Sequence, residues 1–140
     1  MAVRVQIVFD ANDPHALSVW WAELLDYEVE RDGDFVRGLL DEGVVGADDV
    51  VEIDGVMRFA TAASMCDPEG VGPRFFFQRV GEEKAGKNRL HLDVRATNPD
   101  LDAEVERVVA TGATFVGFGE HPGQRWAVMQ DPEGNEFCLT

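Results

Sequence analysis

An internal repeat constrains this chain's fold more than any other feature. The tetrapeptide D-P-E-G occurs at 67–70 and again at 131–134. In each copy the aspartate can accept backbone hydrogen bonds, the proline presets φ and the glycine permits a positive φ, so both predict tight turns. An Asx-Pro pair also occurs in each half, at 13–14 and 98–99. Because the same turn and helix-cap signals occur in both halves, the sequence predicts a duplicated supersecondary unit.

The first half reads as a strand followed by a helix. Alternating apolar residues predict a strand over residues 3–9. Asp13 then suits a helix N-cap and Pro14 the first helical position. A helical stripe follows at the spacings of one face, and it consists of Leu17, Trp20, Trp21, Leu24 and Leu25.

The second half repeats this order. Leu90, Leu92 and Val94 alternate and predict a strand over residues 89–95. Asn98 is expected to be the N-cap and Pro99 the first helical residue. The helical stripe consists of Leu101, Val105, Val108 and Val109, and Gly112 follows as a stop signal.

The remaining strands are predicted at 27–30, 57–64 and 74–80, then at 114–117, 126–130 and 136–139. Each half is then a βαβββ module. These modules predict one α+β domain over 1–140, in which two tandem βαβββ modules form a curled mixed sheet around a central cavity. Module one spans 1–82, a linker 83–87 and module two 88–140. The cap-to-turn spacing is roughly 21 residues longer in the first half, which predicts an insertion near 35–55.

Charge and composition exclude several kinds of partner. The formal net charge is −15, from 27 acidic and 12 basic residues, which disfavours binding to nucleic acid or to anionic membranes. No apolar run is long enough for a membrane span, and no secretion signal is evident. Two cysteines, Cys66 and Cys138, are expected to be reduced thiols. A cytoplasmic domain is therefore expected.

The paired modules, the ending D-P-E-G-N-E-F-C-L and the segment K-N-R-L-H-L-D-V resemble the glyoxalase/bleomycin-resistance/dioxygenase (vicinal oxygen chelate, VOC) superfamily. More narrowly, they resemble the glyoxalase-like domains of actinobacteria. The resemblance covers the whole chain and implies the VOC fold, which serves lyases, isomerases, dioxygenases and non-catalytic drug binders. It also implies a homodimer. Trp20 and Trp21 are expected to pack in the core, and the alternative is that Trp21 lies exposed at the dimer interface.

The resemblance further implies where a site would lie. Metal-using relatives take one ligand from each first strand and one from each last strand of the two modules. Those positions map to Gln6 and His91, and to Cys138 with Glu136 two residues earlier. Strand parity agrees, because these four side chains oppose the aliphatic faces of their strands. Asp93 shares the face of His91 and is placed to orient its imidazole.

On module one's last strand the mapping is ambiguous between Gln78 and a phenylalanine. The aromatic and sulfur-bearing residues expected to line an apolar pocket are Met57, Phe75, Phe76, Phe77, Trp126 and Met129. A packed core without a pocket is the alternative.

Three functional hypotheses follow. The favoured one is a protein that binds a small, aromatic or apolar molecule without a complete metal site, through Gln6, Phe77, Gln78, His91, Trp126, Glu136 and Cys138. The second is a metal-dependent lyase, isomerase or dioxygenase that uses His91, Glu136, Cys138 and Gln6 with a divalent metal. Gln6 is a poor ligand, however, and a facial triad needs two histidines. The third is a metal-independent acid–base enzyme using His91 and Glu136, with burial raising the pKa of Glu136.

Overall fold

Each half of the chain folds into a four-stranded mixed sheet with a helix between its first two strands. The structure is a computed structural model that describes residues 1–140. It divides into unit 1, Met1–Gly81, and unit 2, Glu82–Thr140. No helix is both long and apolar enough to cross a bilayer.

Unit 1 contains six strands, two α-helices and one short 3-10 helix at Ala47–Asp49. The strands and α-helices are β1 (Gln6–Ala11), α1 (Pro14–Leu25), β2 (Glu28–Val29), α2 (Gly33–Asp41), β3 (Val50–Ile53), β4 (Val56–Phe59), β5 (Ala62–Cys66) and β6 (Arg74–Arg79). The main sheet has the order β1-β6-β5-β2, and β3 and β4 form a separate hairpin.

Unit 2 contains four strands and one helix. They are β7 (Leu92–Val94), α3 (Leu101–Val109), β8 (Thr114–His121), β9 (Gln124–Gln130) and β10 (Glu136–Leu139). The sheet order is β7-β10-β9-β8. In both units the first and last strands pair in parallel and the other pairs are antiparallel. The two units therefore share one βαβββ topology, as the repeat predicts.

The strand register identifies equivalent residues in the two sheets. Matching rows cross three adjacent strands at Ile7, Phe75 and Met65 in unit 1, and at Leu92, Phe137 and Met129 in unit 2. One residue earlier along the parallel strands, Gln6 pairs with Arg74. The same step in unit 2 reaches His91 and Glu136. The register thus relates Gln6 to His91, and Arg74 to Glu136.

Aromatic packing between α1 and its sheet forms the core of unit 1. The Phe9 ring stacks on Phe77 at a centroid distance of 5.1 Å and contacts Trp21 at 5.4 Å. Trp21 is only 1% exposed, so the expected core packing is confirmed and the alternative of an exposed interface residue is wrong. Its position on the helical stripe directs the indole onto the sheet.

The helix of unit 2 begins later than the Asx-Pro pair predicts. Asp100 is the N-cap of α3, and its carboxylate accepts hydrogen bonds from the backbone N–H groups of Asp102 and Ala103. Asn98 instead accepts from the N–H of Asp100, one turn before the helix. The two Asx residues compete, and the one nearer the helical stripe provides the cap.

Several strand boundaries also differ from the prediction. The strand expected at 3–9 is β1 at Gln6–Ala11, and the strand expected at 89–95 is β7 at Leu92–Val94. The strand expected at 57–64 is two strands, because β4 pairs with β3 whereas β5 pairs with β6. The strand expected at 114–117 continues to His121, since β8 pairs with β9 along its length with one register shift. Residues 33–59, which include α2 and the β3–β4 hairpin, have no counterpart in unit 2.

Candidate functional site

Unit 2 has a pocket on the sheet face opposite its buried aliphatic residues. The pocket has a volume of about 420 Å³, and its lining includes four residues predicted for a ligand site, namely His91, Trp126, Glu136 and Cys138. Parity explains this face, because Phe137 and Leu139 of β10 are fully buried on the other side. Asp93, Lys87 and His121 complete the polar lining.

Three potential metal ligands converge within this pocket. The donor atoms of His91, Asp93 and Cys138 all lie within 4.8 Å of one another. The imidazole Nε2 of His91 is 3.4 Å from a carboxylate oxygen of Asp93, consistent with the predicted orienting role. Cys138 is 9% exposed. Burial raises the pKa of its thiol, and the negative charge of Asp93 raises it further. The thiol is therefore protonated at neutral pH.

Glu136 lies in the same pocket but is held by other groups. Its carboxylate accepts a hydrogen bond from the backbone N–H of Asn88 at 3.0 Å and pairs with Lys84 Nζ at 3.1 Å. Burial raises the pKa of Glu136, but hydrogen bonds from Asn88 and Lys84 outweigh it and leave the pKa below its ordinary value. The expectation that Glu136 has a raised pKa, as a general acid would need, is therefore wrong.

An aromatic surface borders the polar cluster. The rings of Trp126 and His121 lie 5.2 Å apart. Gly119 on β8 pairs with Trp126 on β9, and a Cβ atom at Gly119 would collide with the indole ring. The glycine thus permits the indole to lie flat across its neighbouring strand.

The equivalent face of unit 1 carries an ion-pair network. Arg74 Nε donates to Glu30 at 2.9 Å, and Arg74 Nη1 donates to Gln6 Oε1 at 2.5 Å. Ser64 also donates to Glu30. The hydrogen bond from Arg74 lowers the pKa of Glu30 despite burial, and the same bond raises the pKa of Arg74. Gln6 is consequently bound to a cation.

The sequence did not identify this network, because the partners lie on strands far apart in the chain. A charge pair across a sheet becomes visible only when the strand register is known. Arg74 and Glu30 are separated by 44 positions.

The two other predicted residues of unit 1 do not join a common site. Gln78 donates to Asp10 at 2.8 Å on an exposed part of the sheet. Phe77 is fully buried against Phe9, so the prediction that it lines a ligand site is wrong. Phe76, with the opposite parity, lies on the other face.

The expected aromatic pocket is therefore smaller than predicted. Phe75 and Met129 are buried core residues, like Phe77. Met57 and Phe76 line a small cavity of unit 1. Trp126 alone of the six lines the pocket of unit 2.

Comparison with known proteins agrees with this architecture. The glyoxalase-like domain model matches residues 6–140. The chain belongs to the glyoxalase-like domain family. No curated protein sequence matches it significantly.

Solved structures share the fold of this glyoxalase-like chain at low sequence identity. The fosfomycin resistance protein FosX from Mesorhizobium loti superposes with a TM-score of 0.62 at 14% identity, covering 99% of this chain and 90% of that protein. A glyoxalase/bleomycin resistance protein/dioxygenase family enzyme from Burkholderia phytofirmans gives 0.61 at 18%, covering 96% and 94%. The bleomycin-binding protein from Streptomyces verticillus, in complex with copper(II)-bleomycin, gives 0.52 at 18%, covering 100% and 96%.

The glyoxalase-like chain does not present the metal ligands that the family's metal users require in both modules. Unit 1 places Gln6 and Arg74 at the positions of His91 and Glu136. An amide already bound to a guanidinium is a poor ligand, and a cation repels a metal ion. Unit 2 offers one imidazole, whereas a facial triad needs two. These residues do not fit the family's metal.

Proposed function

We propose that this protein binds a small organic molecule with an aromatic or apolar part, without a complete metal site. The observation that supports this most is the asymmetry between equivalent positions. His91 and Glu136 in unit 2 correspond to Gln6 and Arg74 in unit 1, and Arg74 is paired with Glu30. An amide and an ion-paired arginine at these positions offer no good ligand to a metal ion, which favours binding of an organic molecule.

The pocket of unit 2 is the proposed binding site. Its volume of about 420 Å³ falls in the range of small-molecule sites. The Trp126 indole offers a flat surface on which an aromatic ring can stack. The neutral thiol of Cys138 and the His91–Asp93 pair would fix the ligand's orientation through a few polar contacts.

Native mass spectrometry of protein purified from cells tests this proposal. A co-purified organic molecule is expected at up to one per chain in the wild type. Trp126→Ala is expected to lose it, because the stacking surface is removed. Phe35→Ala is the control, since Phe35 is 62% exposed and lies in unit 1. Equal retention by both variants would contradict the unit 2 pocket as the site.

The His91–Asp93–Cys138 cluster supports a second candidate, a metal-dependent lyase, isomerase or dioxygenase. Three protein ligands with an open fourth position are the arrangement of catalytic zinc sites. Titration with Co²⁺ tests this candidate, because a thiolate ligand produces a charge-transfer absorption band. Under this candidate the band disappears in Cys138→Ala and persists in Cys66→Ala. Our primary proposal predicts no stoichiometric band in the wild type or in either cysteine variant.

Three further properties are proposed from the sequence. Two free cysteines support a cytoplasmic location, and the family resemblance supports an actinobacterial type of domain and a homodimer. Sedimentation equilibrium tests the last of these: twice the chain mass is expected, and a monomer at micromolar concentration would contradict it.

A further inference from the structure

A buried arginine in unit 1 has a guanidinium nitrogen without a hydrogen-bond partner. Arg58 of β4 is 9% exposed, and its Nε atom is buried without a hydrogen-bond partner. No carboxylate forms an ion pair with it. A buried charge left in this state is costly unless an anion compensates it. Arg58 is therefore poised to accept a negatively charged group.

A hydrogen-bond acceptor lies beside this cation. His15 Nε2 is 2.9 Å from the carbonyl oxygen of Phe59, so Nε2 carries the proton and Nδ1 has the free lone pair. That Nδ1 atom is also buried without a partner. Burial lowers the pKa of His15, and the positive charge of Arg58 lowers it further, which keeps the imidazole neutral. The site thus offers a cationic donor next to a neutral acceptor.

The space around these two residues is a cavity joined to a groove. Both residues line a cavity of about 90 Å³ and a larger open groove of about 1100 Å³. The groove is acidic, because the carboxylates of Glu23, Asp26, Glu28, Asp32 and Asp54 line it together with Arg31 and with Glu30, which is paired with Arg74. A multiply charged anion such as phosphate would be repelled by these groups. A molecule with one carboxylate and one positive charge would be attracted at both ends, because Arg58 attracts its carboxylate and the groove attracts its positive charge.

We propose that Arg58 and His15 form a recognition site for the α-amino acid group of a small molecule. The carboxylate binds the Arg58 guanidinium, and the adjacent ammonium donates to His15 Nδ1. The acidic groove then favours a cationic side chain on the same molecule. This site lies wholly in unit 1 and does not depend on the pocket proposed for unit 2.

Isothermal titration calorimetry on the full chain tests the site, with L-lysine as the probe. L-lysine is expected to bind with one-to-one stoichiometry, and L-glutamate at least about tenfold more weakly because the groove repels its side chain. Propionate and ethylamine, which each carry one half of the recognised group, are expected to bind at least about tenfold more weakly than L-alanine. Absence of L-lysine binding, or equal binding of L-glutamate, would overturn the proposal.

Arg58→Met is expected to abolish L-lysine binding, and Arg37→Met, on the exposed face of α2, is expected to retain it. Without ligand, Arg58→Met should unfold at the same or a higher temperature, because it removes an uncompensated buried charge. A purely structural arginine would instead lower the unfolding temperature. If Arg58→Met does not fold, the amide chemical shifts of the wild type provide the test. L-lysine is then expected to shift the amides of Phe59 and Ala16 rather than those of unit 2. Retained binding in Arg58→Met, or shifts confined to unit 2, would contradict the site.

Discussion

At the residue scale, the open faces of the two sheets show how far parity alone can place a side chain. Alternation along the chain assigns Gln6, His91, Glu136 and Cys138 to the face opposite the aliphatic residues, and the last three line the pocket of unit 2. Phe77 could not be assigned in this way, because three consecutive phenylalanines carry no alternation. Only their burial in the folded structure shows that Phe75 and Phe77 face the core.

The sequence predicted the locations of side chains better than their ionisation states. The pKa of Glu136 depends on Lys84, a residue 52 positions away in the predicted linker. Burial could be inferred from the strand pattern, but the hydrogen bonds that oppose it could not. A local pattern does not report a partner that the tertiary fold supplies.

Glu104 provides a test of buried charge at this scale. It is 2% exposed and receives two hydrogen bonds from Arg107, at 2.8 and 2.9 Å. Glu104→Gln is expected to reduce the free energy of unfolding at pH 7 by about 1–3 kcal/mol. Glu106→Gln, exposed on the same helix, is expected to change it by less than about 0.5 kcal/mol.

The effect of Glu104→Gln should depend on pH. The hydrogen bond from Arg107 holds the pKa of Glu104 below its ordinary value, although burial opposes it. A lowered carboxyl pKa stabilises the fold above the unfolded-state pKa of about 4.3 and loses this effect as the pH falls through the folded-state value. Urea unfolding should therefore show a full difference at pH 7 that narrows below about pH 4. A difference that stays constant over this range would contradict the ion pair.

At the scale of elements, the cap signals predicted the start of α1 well, whereas the alternation that predicts a strand at 3–9 misplaced β1, which spans Gln6–Ala11. The carboxylate of Asp13 accepts from the N–H of Ala16, and Pro14 begins α1, both as expected. Within the insertion, the break between β4 and β5 was missed because no glycine or proline marks residues 60–61. The α2 helix has no side-chain cap at Asp32, so the sequence marked its start poorly.

The D-P-E-G turns provide an element-scale test of the repeat. Asp131 is buried and accepts hydrogen bonds from the N–H groups of Glu133 and Asn135. Asp131→Ala leaves these donors without their partner and is expected to destabilise the protein by about 2 kcal/mol, measured by urea unfolding. Glu69→Ala, exposed in the equivalent turn at 67–70, serves as the control and should cost less than about 0.5 kcal/mol. Equal effects would show that the turn does not depend on its aspartate.

The β8–β9 pair permits a test of the aromatic surface. Gly119→Ala is expected to displace the Trp126 indole, because the new Cβ atom would collide with it. The change should alter tryptophan emission and weaken binding of the co-purified molecule by about tenfold. Gly117→Ala is the matched control on the same strand, since nothing lies within 4 Å of a Cβ atom at that position. Identical spectra for the two variants would contradict the role of Gly119.

At the scale of the whole molecule, the two units keep one topology but differ in chemistry. The repeated turn and cap signals predicted that topology, because turns and caps are encoded by local sequence. The chemical divergence could be predicted only in part. The absence of a second histidine was visible in the sequence, whereas the ion pair that occupies the unit 1 face required the register of β1, β5 and β6.

The central claim is that the chemical asymmetry of the two units leaves the protein without a complete metal site. Inductively coupled plasma mass spectrometry measures this directly on protein purified without chelators from cells grown in metal-supplemented medium. We predict well below one equivalent of zinc, iron, nickel or manganese per chain, unchanged in His91→Ala. One equivalent of any of these metals in the wild type, lost in His91→Ala, would contradict the claim.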